Sequence, residues 1–342
     1  MNPPNRRQAL GWGLALAAFS AAGAGCARQS AVKGGQVLKV GDQRGAEHAL
    51  MTAAGVLNDL PYQIQWVQMP AAAPLLEALS AGAIDLGGVG SAPFAFAYSS
   101  GAPIKAVLAT RLRTVTSGLG RSSAIIVRRA SNIHTVADLR GRKLATIKGS
   151  AGHDIALQIL EKAQVDPTSV QFVFLNNSDA KAALASGDID AWSTWGTYVG
   201  IAVEENGDRI LATAEGVIAP GAIAGFQAAS DAAITAKAPL LRDFLSRLAR
   251  AHAWVKTHPD AYAEQIAKET GVPLSVARYN VSYALTSDYR PIDADAIEEQ
   301  RRTLERYYRA GVIGALPKVT GAGYLNTFSD VIAASEPAKA TG

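Results

Sequence analysis

Residues 36–40 read as a first strand, polar and apolar residues alternate over 62–67, and apolar residues recur at helical spacing over 47–57 and 71–79. Period two predicts strands and the helical spacing predicts amphipathic helices, so with a short apolar run at 84–87 the opening reads as a βαβαβ unit. Pro93 falls in the first turn of the next predicted helix, 92–98, which places Ser91 close to its N-cap. Strands are expected at 104–109 and 124–127. A second series follows: strand 143–147, a helix ending at Ala163, strand 170–175 after Asp166-Pro167, and a helix beginning at Ser178 or Asp179. Thr135 to Asp138 reads as the capped start of a short helix. A strand near 226–229 returns the chain to the first unit. Beyond it the pattern is helical, over 239–258, 259–270, 273–285 and 295–310.

One stretch occurs twice. Leu79, Gly82, Ile84 and Asp85 have counterparts at a constant offset in Leu184, Gly187, Ile189 and Asp190. A helix end, a glycine free to take positive φ and a short apolar strand account for the shared residues. The chain is expected to use one supersecondary unit in two α/β lobes, residues 37–120 with 226–330 and residues 121–225, joined by a double crossing. In open α/β sheets ligands sit beyond the carboxyl ends of the strands. Those positions are expected to be the loops Gly87-Gly88-Val89-Gly90-Ser91 and Trp192-Ser193-Thr194-Trp195, facing each other across a cleft.

The 342 residues and the 49% hydrophobic content suit a core that needs no staples. The one long apolar run is N-terminal: Arg6-Arg7 precede a weakly hydrophobic Ala/Gly-rich segment, and residues 1–26 read as an export signal of twin-arginine type. Cys26, the single cysteine, follows Ala24-Gly25, where a bacterial lipoprotein carries its acylated residue. It is a candidate lipid anchor. Cleavage there leaves no thiol for disulfides, metal ligation or nucleophilic catalysis. It also removes Arg6 and Arg7 from a net charge of +4, too little charge to favour nucleic acid as a partner.

The segments Trp66-Val-Gln-Met-Pro70, Glu77 to Pro93, Val136 to Leu144, Lys148-Gly-Ser-Ala-Gly-His153 and Gly187 to Trp195 resemble, in order, the periplasmic sulfonate- and taurine-binding proteins of ABC importers. The resemblance implies a periplasmic-binding-protein-like α/β fold whose two lobes, joined by a hinge, close on a small anion. It also implies no catalysis, no cofactor, a monomer, a periplasmic location and an inner-membrane permease as partner. The chain departs from the family after Trp195, where Gly196-Thr197-Tyr198 stand. Ser91 replaces the acidic residue of the aliphatic sulfonate receptors, a likeness to the taurine branch.

A sulfonate spreads one charge over three oxygens, which backbone N–H groups at helix N-termini bind well. The candidate ligand contacts are therefore Gly90, Ser91 and Ala92 at one helix start and Ser150, Gly152 and His153 at another. Either serine reads equally as an ordinary N-cap, and His153 equally as a structural histidine. Gln43 and Arg44 follow the first strand at the same edge, and arginine suits planar oxygen pairs. Trp195 and Tyr198, with Phe94, are expected to form the wall around the organic part. The competing readings are a receptor for nitrate, bicarbonate or a thiamine-precursor-like compound, and an enzyme of desulfinase type on the same fold.

Overall fold

The structure is a computed structural model that describes residues 35–113 and 120–333. The expected export signal and Cys26 lie outside the described residues. In chain order the strands are β1 (Val37–Gln43), β2 (Gln63–Met69), β3 (Leu86–Gly90), β4 (Ile104–Leu112), β5 (Ser123–Val127), β6 (Lys143–Thr146), β7 (Gln171–Phe174), β8 (Ala191–Trp195), β9 (Arg209–Thr213), β10 (Ile223–Ser230) and β11 (Ser287–Arg290). The helices are α1 (Ala46–Ala53), α2 (Ala72–Ser80), α3 (Ser91–Ser99), α4 (Ala151–Lys162), α5 (Asn177–Ser186), α6 (Thr197–Gly200), α7 (Asp231–Ala236), α8 (Ala238–Trp254), α9 (Pro259–Thr270), α10 (Leu274–Leu285), α11 (Ala294–Arg309) and α12 (Asp330–Ala333).

Two sheets carry the fold, a six-stranded one in the order β11-β4-β10-β3-β1-β2 and a five-stranded one in the order β7-β6-β8-β5-β9. Each holds a parallel trio, β2-β1-β3 or β7-β6-β8, flanked by one antiparallel strand, β10 or β5. That antiparallel strand is in each case the first one formed after the chain crosses between sheets: β4 leads to β5, and β9 leads to β10. This is the α/β architecture of two lobes and a double crossing.

The repeated stretch has one physical role in both sheets. Asp85 N–H donates to the Lys39 carbonyl at 2.8 Å while its carboxylate accepts the Lys39 N–H at 2.7 Å. Asp190 does the same with Lys143, both bonds at 2.9 Å. The aspartate closes a ring onto the first strand of the trio and sets the register of the third. Gly82 and Gly187 take φ of 68° and 89°, which turns the chain from helix to strand, and Leu79, Ile84, Leu184 and Ile189 are buried beneath.

The glycine run after Asp85 and the stretch from Trp192 to Trp195 were expected to be loops; they are strands β3 and β8. Close packing explains the glycines. A Cβ on Gly87 would lie 2.9 Å from the Gly41 carbonyl oxygen, and one on Gly88 would lie 3.0 Å from Gln227 Nε2. The composition reflects crowding against β1 and β10, and it resembles a turn only in sequence. The predicted helix after Thr135 is a single 3₁₀ turn, Val136–Leu139, with Asp138 accepting the Thr135 N–H at 2.8 Å. Edge strands β9 and β11 carry too little alternation to be read from sequence.

Helices α8, α9 and α10 cover one face of the six-stranded sheet, with Leu241, Phe244, Leu245 and Ile266 packed on Leu38 and Val40. Two of the late helices also touch the five-stranded lobe. Against α10, Gly200 sits so close to Tyr279 and Val276 that a Cβ would lie 2.9 and 3.0 Å away. From α11, Arg306 pairs with Asp154 at 2.7 Å and the Tyr307 hydroxyl donates to the Ser150 carbonyl at 3.3 Å. The C-terminal helices therefore brace both lobes, whereas the expected connectivity placed them on the first alone.

Candidate functional site

A cavity of about 260 Å³ opens where the carboxyl ends of β1, β3 and β8 meet. Its lining includes Gln43, Arg44, Gly90, Ser150, Trp195 and Tyr198, and also Glu47, Thr110, Gln227, His252, Tyr283 and Tyr289.

Arg44 reaches across from one lobe to the other. Its backbone takes φ +60°, followed by Gly45 at +76°, and this pair of left-handed residues turns the chain sharply from β1 into α1. The turn aims the side chain at α6, where Nη1 donates to the Tyr198 hydroxyl at 2.6 Å and the guanidinium lies 4.4 Å from that ring's centre. Tyr198 is set by Gly196, which has φ +59° and approaches Asn280 Oδ1 within 2.5 Å of where a Cβ would stand. A side chain there would have to displace the Asn280 amide and would be strained at this positive φ. Gln43 donates from Nε2 to the Gly88 carbonyl at 2.8 Å, tying the end of β1 to β3.

The starts of α3 and α4 face each other. A Cβ placed on Gly90 would lie 3.5 Å from the Ala151 Cβ. At α3 the N-cap is Gly90, not Ser91, and no side chain caps the helix. Ser91 is the first helical residue; its hydroxyl accepts from Gln300 Nε2 at 2.5 Å, and both it and Ala92 are buried off the cavity wall. Pro93 at the third position has no N–H, so this helix start has fewer donors to offer than most. At α4 the N-cap is Ser150, whose hydroxyl accepts the His153 N–H at 3.2 Å, the ordinary capping role.

Besides Ser91 and Ala92, two further expected ligand contacts lie away from the cavity. His153 is fully buried among Phe172, Phe174 and Tyr307, and its Nδ1 accepts the Gly149 N–H at 3.1 Å. Burial, with Lys148 adding to it, holds its pKa down at about 4, so the ring is neutral at pH 7 and offers an anion no charge. Gly152 faces β8, where a Cβ would lie 2.7 Å from the Ser193 carbonyl oxygen. Phe94 is likewise absent from the wall: it is wholly buried against Tyr98, Phe226 and Tyr324. The face of α3 that carries Phe94 turns to the sheet, and Pro93 faces the cavity in its stead. Trp192 is buried in the core, whereas Trp195, at the strand end, is half-buried and lines the cavity.

The polar group of Glu47, Thr110, Gln227, His252, Tyr283 and Tyr289 was not singled out from the sequence, because its members come from six separate elements. Gln227 Nε2 donates to Glu47 Oε1 at 2.9 Å and to the Tyr289 hydroxyl at 3.2 Å. Burial, reinforced by Asp42, pushes the Glu47 carboxyl up to about 8. The Asp42 carboxyl is also raised by burial, although it accepts the N–H groups of Glu47 and His48 at 3.1 and 2.9 Å and so caps α1. His252 is held down at about 3 by burial and by Lys256. The only available sequence signal was Glu47 in the first turn of a helix that follows Arg44.

The chain is similar to known proteins in sequence and in fold. A protein of Escherichia coli (strain K12) named as an aliphatic sulfonates-binding protein is 29% identical over 276 residues, 80% of this chain and 84% of that one. The taurine-binding periplasmic protein of the same organism is 31% identical over 154 residues, 45% of each chain. The alkanesulfonate-binding protein of Xanthomonas axonopodis pv. citri, solved bound to MOPS, superposes with a TM-score of 0.73 at 28% identity, over 83% of this chain and 96% of that one. Residues 64–262, which hold both copies of the repeated unit and most of the cavity's lining, match the family model described as NMT1/THI5 like, and the chain belongs to that family.

Proposed function

We propose that the protein is an extracytoplasmic solute-binding protein of an ABC importer, and that it captures an organosulfonate in the cleft between its lobes. The observation that carries this reading is the wall of the cavity. Among the described residues Arg44 is the only lysine or arginine that lines the cavity, and it stands with the two facing helix starts at Gly90 and Ser150. A single guanidinium with backbone N–H groups matches a group that spreads one negative charge over three oxygens. Trp195 and Tyr198 supply the apolar wall for the attached carbon chain. The relatives named above bind sulfonates or taurine by their names, and none is named as an enzyme.

Residues 1–26 act as the export signal in this reading, with Cys26 the site of anchoring in the periplasm. The protein works as a monomer without cofactor or nucleic acid, and presents its closed form to the permease. Titration calorimetry of the mature protein against alkanesulfonates, sulfate esters, nitrate, bicarbonate and a thiamine-precursor pyrimidine tests the proposal. Saturable heat is expected with sulfonates. Binding of nitrate, bicarbonate or the pyrimidine with no response to any sulfonate would refute it.

A further inference from the structure

Helix α11 is anchored on the lobe of the six-stranded sheet and ends on the other lobe. At its start Asp293, the N-cap, pairs with Arg111 at 2.5 Å, Glu299 Oε1 accepts the Ile223 N–H at 2.9 Å, and Gln300 Nε2 donates to the Ser91 hydroxyl at 2.5 Å. By Tyr307, a rise of about 10 Å beyond Gln300, the helix has reached α4 of the five-stranded lobe. There two consecutive residues hold the whole first turn of α4. Arg306 Nη1 pairs with Asp154 at 2.7 Å, the Tyr307 hydroxyl donates to the Ser150 carbonyl at 3.3 Å, and the Tyr307 ring meets the His153 ring edge-on with 4.9 Å between centres. The same tyrosine ring meets Phe96 of α3 edge-on at 4.6 Å. Tyr307 is wholly buried, packed with Ala92 of α3 and Leu157 of α4 in one apolar cluster. It is therefore a spacer between α3 and α4. The starts of these two helices are the cavity walls at Gly90 on one lobe and at Ser150 and Ala151 on the other. A close-packed interior passes on a change of position instead of absorbing it, so a buried ring in contact with both helices fixes the separation of those walls. Neither Arg306 nor Tyr307 lines the cavity itself. Arg309 also reaches α4, but it pairs with Glu161 at 3.0 Å, about two turns beyond Asp154 and away from the cavity wall.

We propose that Arg306 and Tyr307 are positioning residues for the ligand: from the lobe that carries α11 they set the first turn of α4, and with it the wall at Ser150 and Ala151, at the distance from Gly90 that the bound anion requires. The inference rests on the reading of the cavity as an anion site. The Arg306–Asp154 pair suits the task because both side chains are largely buried, at 19% and 15% exposure, and such a pair is screened less than one at the surface. Both residues act through α4 and not on the ligand, so their loss is expected to shorten the life of the complex and to leave the rate of encounter unchanged.

The test measures propanesulfonate binding to the mature protein, by calorimetry for affinity and by stopped-flow tryptophan fluorescence for rates. Arg306→Met is expected to weaken binding roughly tenfold, and Tyr307→Phe, which keeps the ring and removes one ordinary hydrogen bond, roughly 2- to 12-fold, in each case through faster dissociation. Arg306→Lys keeps the pairing charge and is expected to recover most of the affinity. Arg309→Gln removes an equal charge from the same turn of α11 and is expected to bind as the wild type does. Thermal melting shows which variants are folded, and if Arg306→Met is not, Tyr307→Phe decides. The proposal is overturned if Arg306→Met and Tyr307→Phe both bind like the wild type, if Arg309→Gln loses as much as Arg306→Met, or if the losses lie in the association rate alone. A wild type that binds another anion of the calorimetric panel but no sulfonate removes the sulfonate reading, and the same variants titrated with that anion then decide the positioning role. A wild type that binds none of them refutes both.

Discussion

Arg44 and Tyr198 form a side-chain bridge at the cavity that joins the two lobes, so their combined replacement tests how the anion end is built. Arg44 lines the cavity with five N–H donors and commits one of them, at 2.6 Å, to the Tyr198 hydroxyl. In Arg44→Gln the ligand loses a charge-assisted hydrogen bond worth about 1.5–3 kcal/mol, a drop in affinity of roughly 10- to 150-fold. Tyr198→Phe keeps the ring that lies 4.4 Å beneath the guanidinium and removes only the acceptor that orients it. The loss there is that of one ordinary hydrogen bond, about 0.5–1.5 kcal/mol, or roughly 2- to 12-fold. Because Tyr198 acts on the anion through Arg44, the two effects should not add. The double variant is expected to bind about as well as Arg44→Gln alone, with a coupling energy of about 0.5–1.5 kcal/mol in a double-mutant cycle. Calorimetry with propanesulfonate on the four proteins gives the cycle. Losses that multiply within error would show that the two residues contact the ligand independently, and the bridge would then be incidental to binding.

The duplicated aspartates should differ in stability, for although both bond to a strand N–H, Asp85 is 8% exposed and also holds Lys237 at 2.7 Å. In urea titrations Asp85→Ala is expected to cost about 2–4 kcal/mol and Asp190→Ala about 1 kcal/mol; equal losses would contradict the packing argument. Stability should also depend on pH in a set direction. Glu47 is raised from 4.5 to about 8, so the folded state holds its proton more tightly than the unfolded chain does, and the stability this gives is complete below about 4.5 and lost as pH rises through about 8. His153 and His252 are lowered from 6.5 to about 4 and about 3, so their contribution is complete above 6.5 and lost as pH falls through those values. Melting temperatures are therefore expected to peak between about pH 5 and 7, with the alkaline decline flattened in Glu47→Gln.

What the sequence determined by itself is local and periodic. The two copies of Leu-x-x-Gly-x-Ile-Asp specify a helix stop and a strand start with only their own residues, since positive φ at Gly82 and Gly187 and burial at Ile84 and Ile189 follow from the side chains present. For the same reason Arg44, at the end of a strand and before a helix, could be assigned to the cleft edge, and Trp195 to the wall. Tertiary structure decided the rest. Whether Gly87 and Gly88 are loop or strand depends on how closely β1 and β10 approach them, and neither neighbour is near in sequence. Ser91 and His153 stand at helix starts, as their positions imply, yet Gln300 and Tyr307, on a helix far along the chain, occupy the hydroxyl of one and cover the ring of the other. The polar group around Glu47 is the extreme case. Glu47, Gln227 and Tyr289 belong to three distant elements, each unremarkable alone, and only the crossing that inserts β10 between β3 and β4 sets the Gln227 amide against the Glu47 carboxyl. Contacts between distant elements are governed by sheet order, and sheet order leaves no period in a sequence.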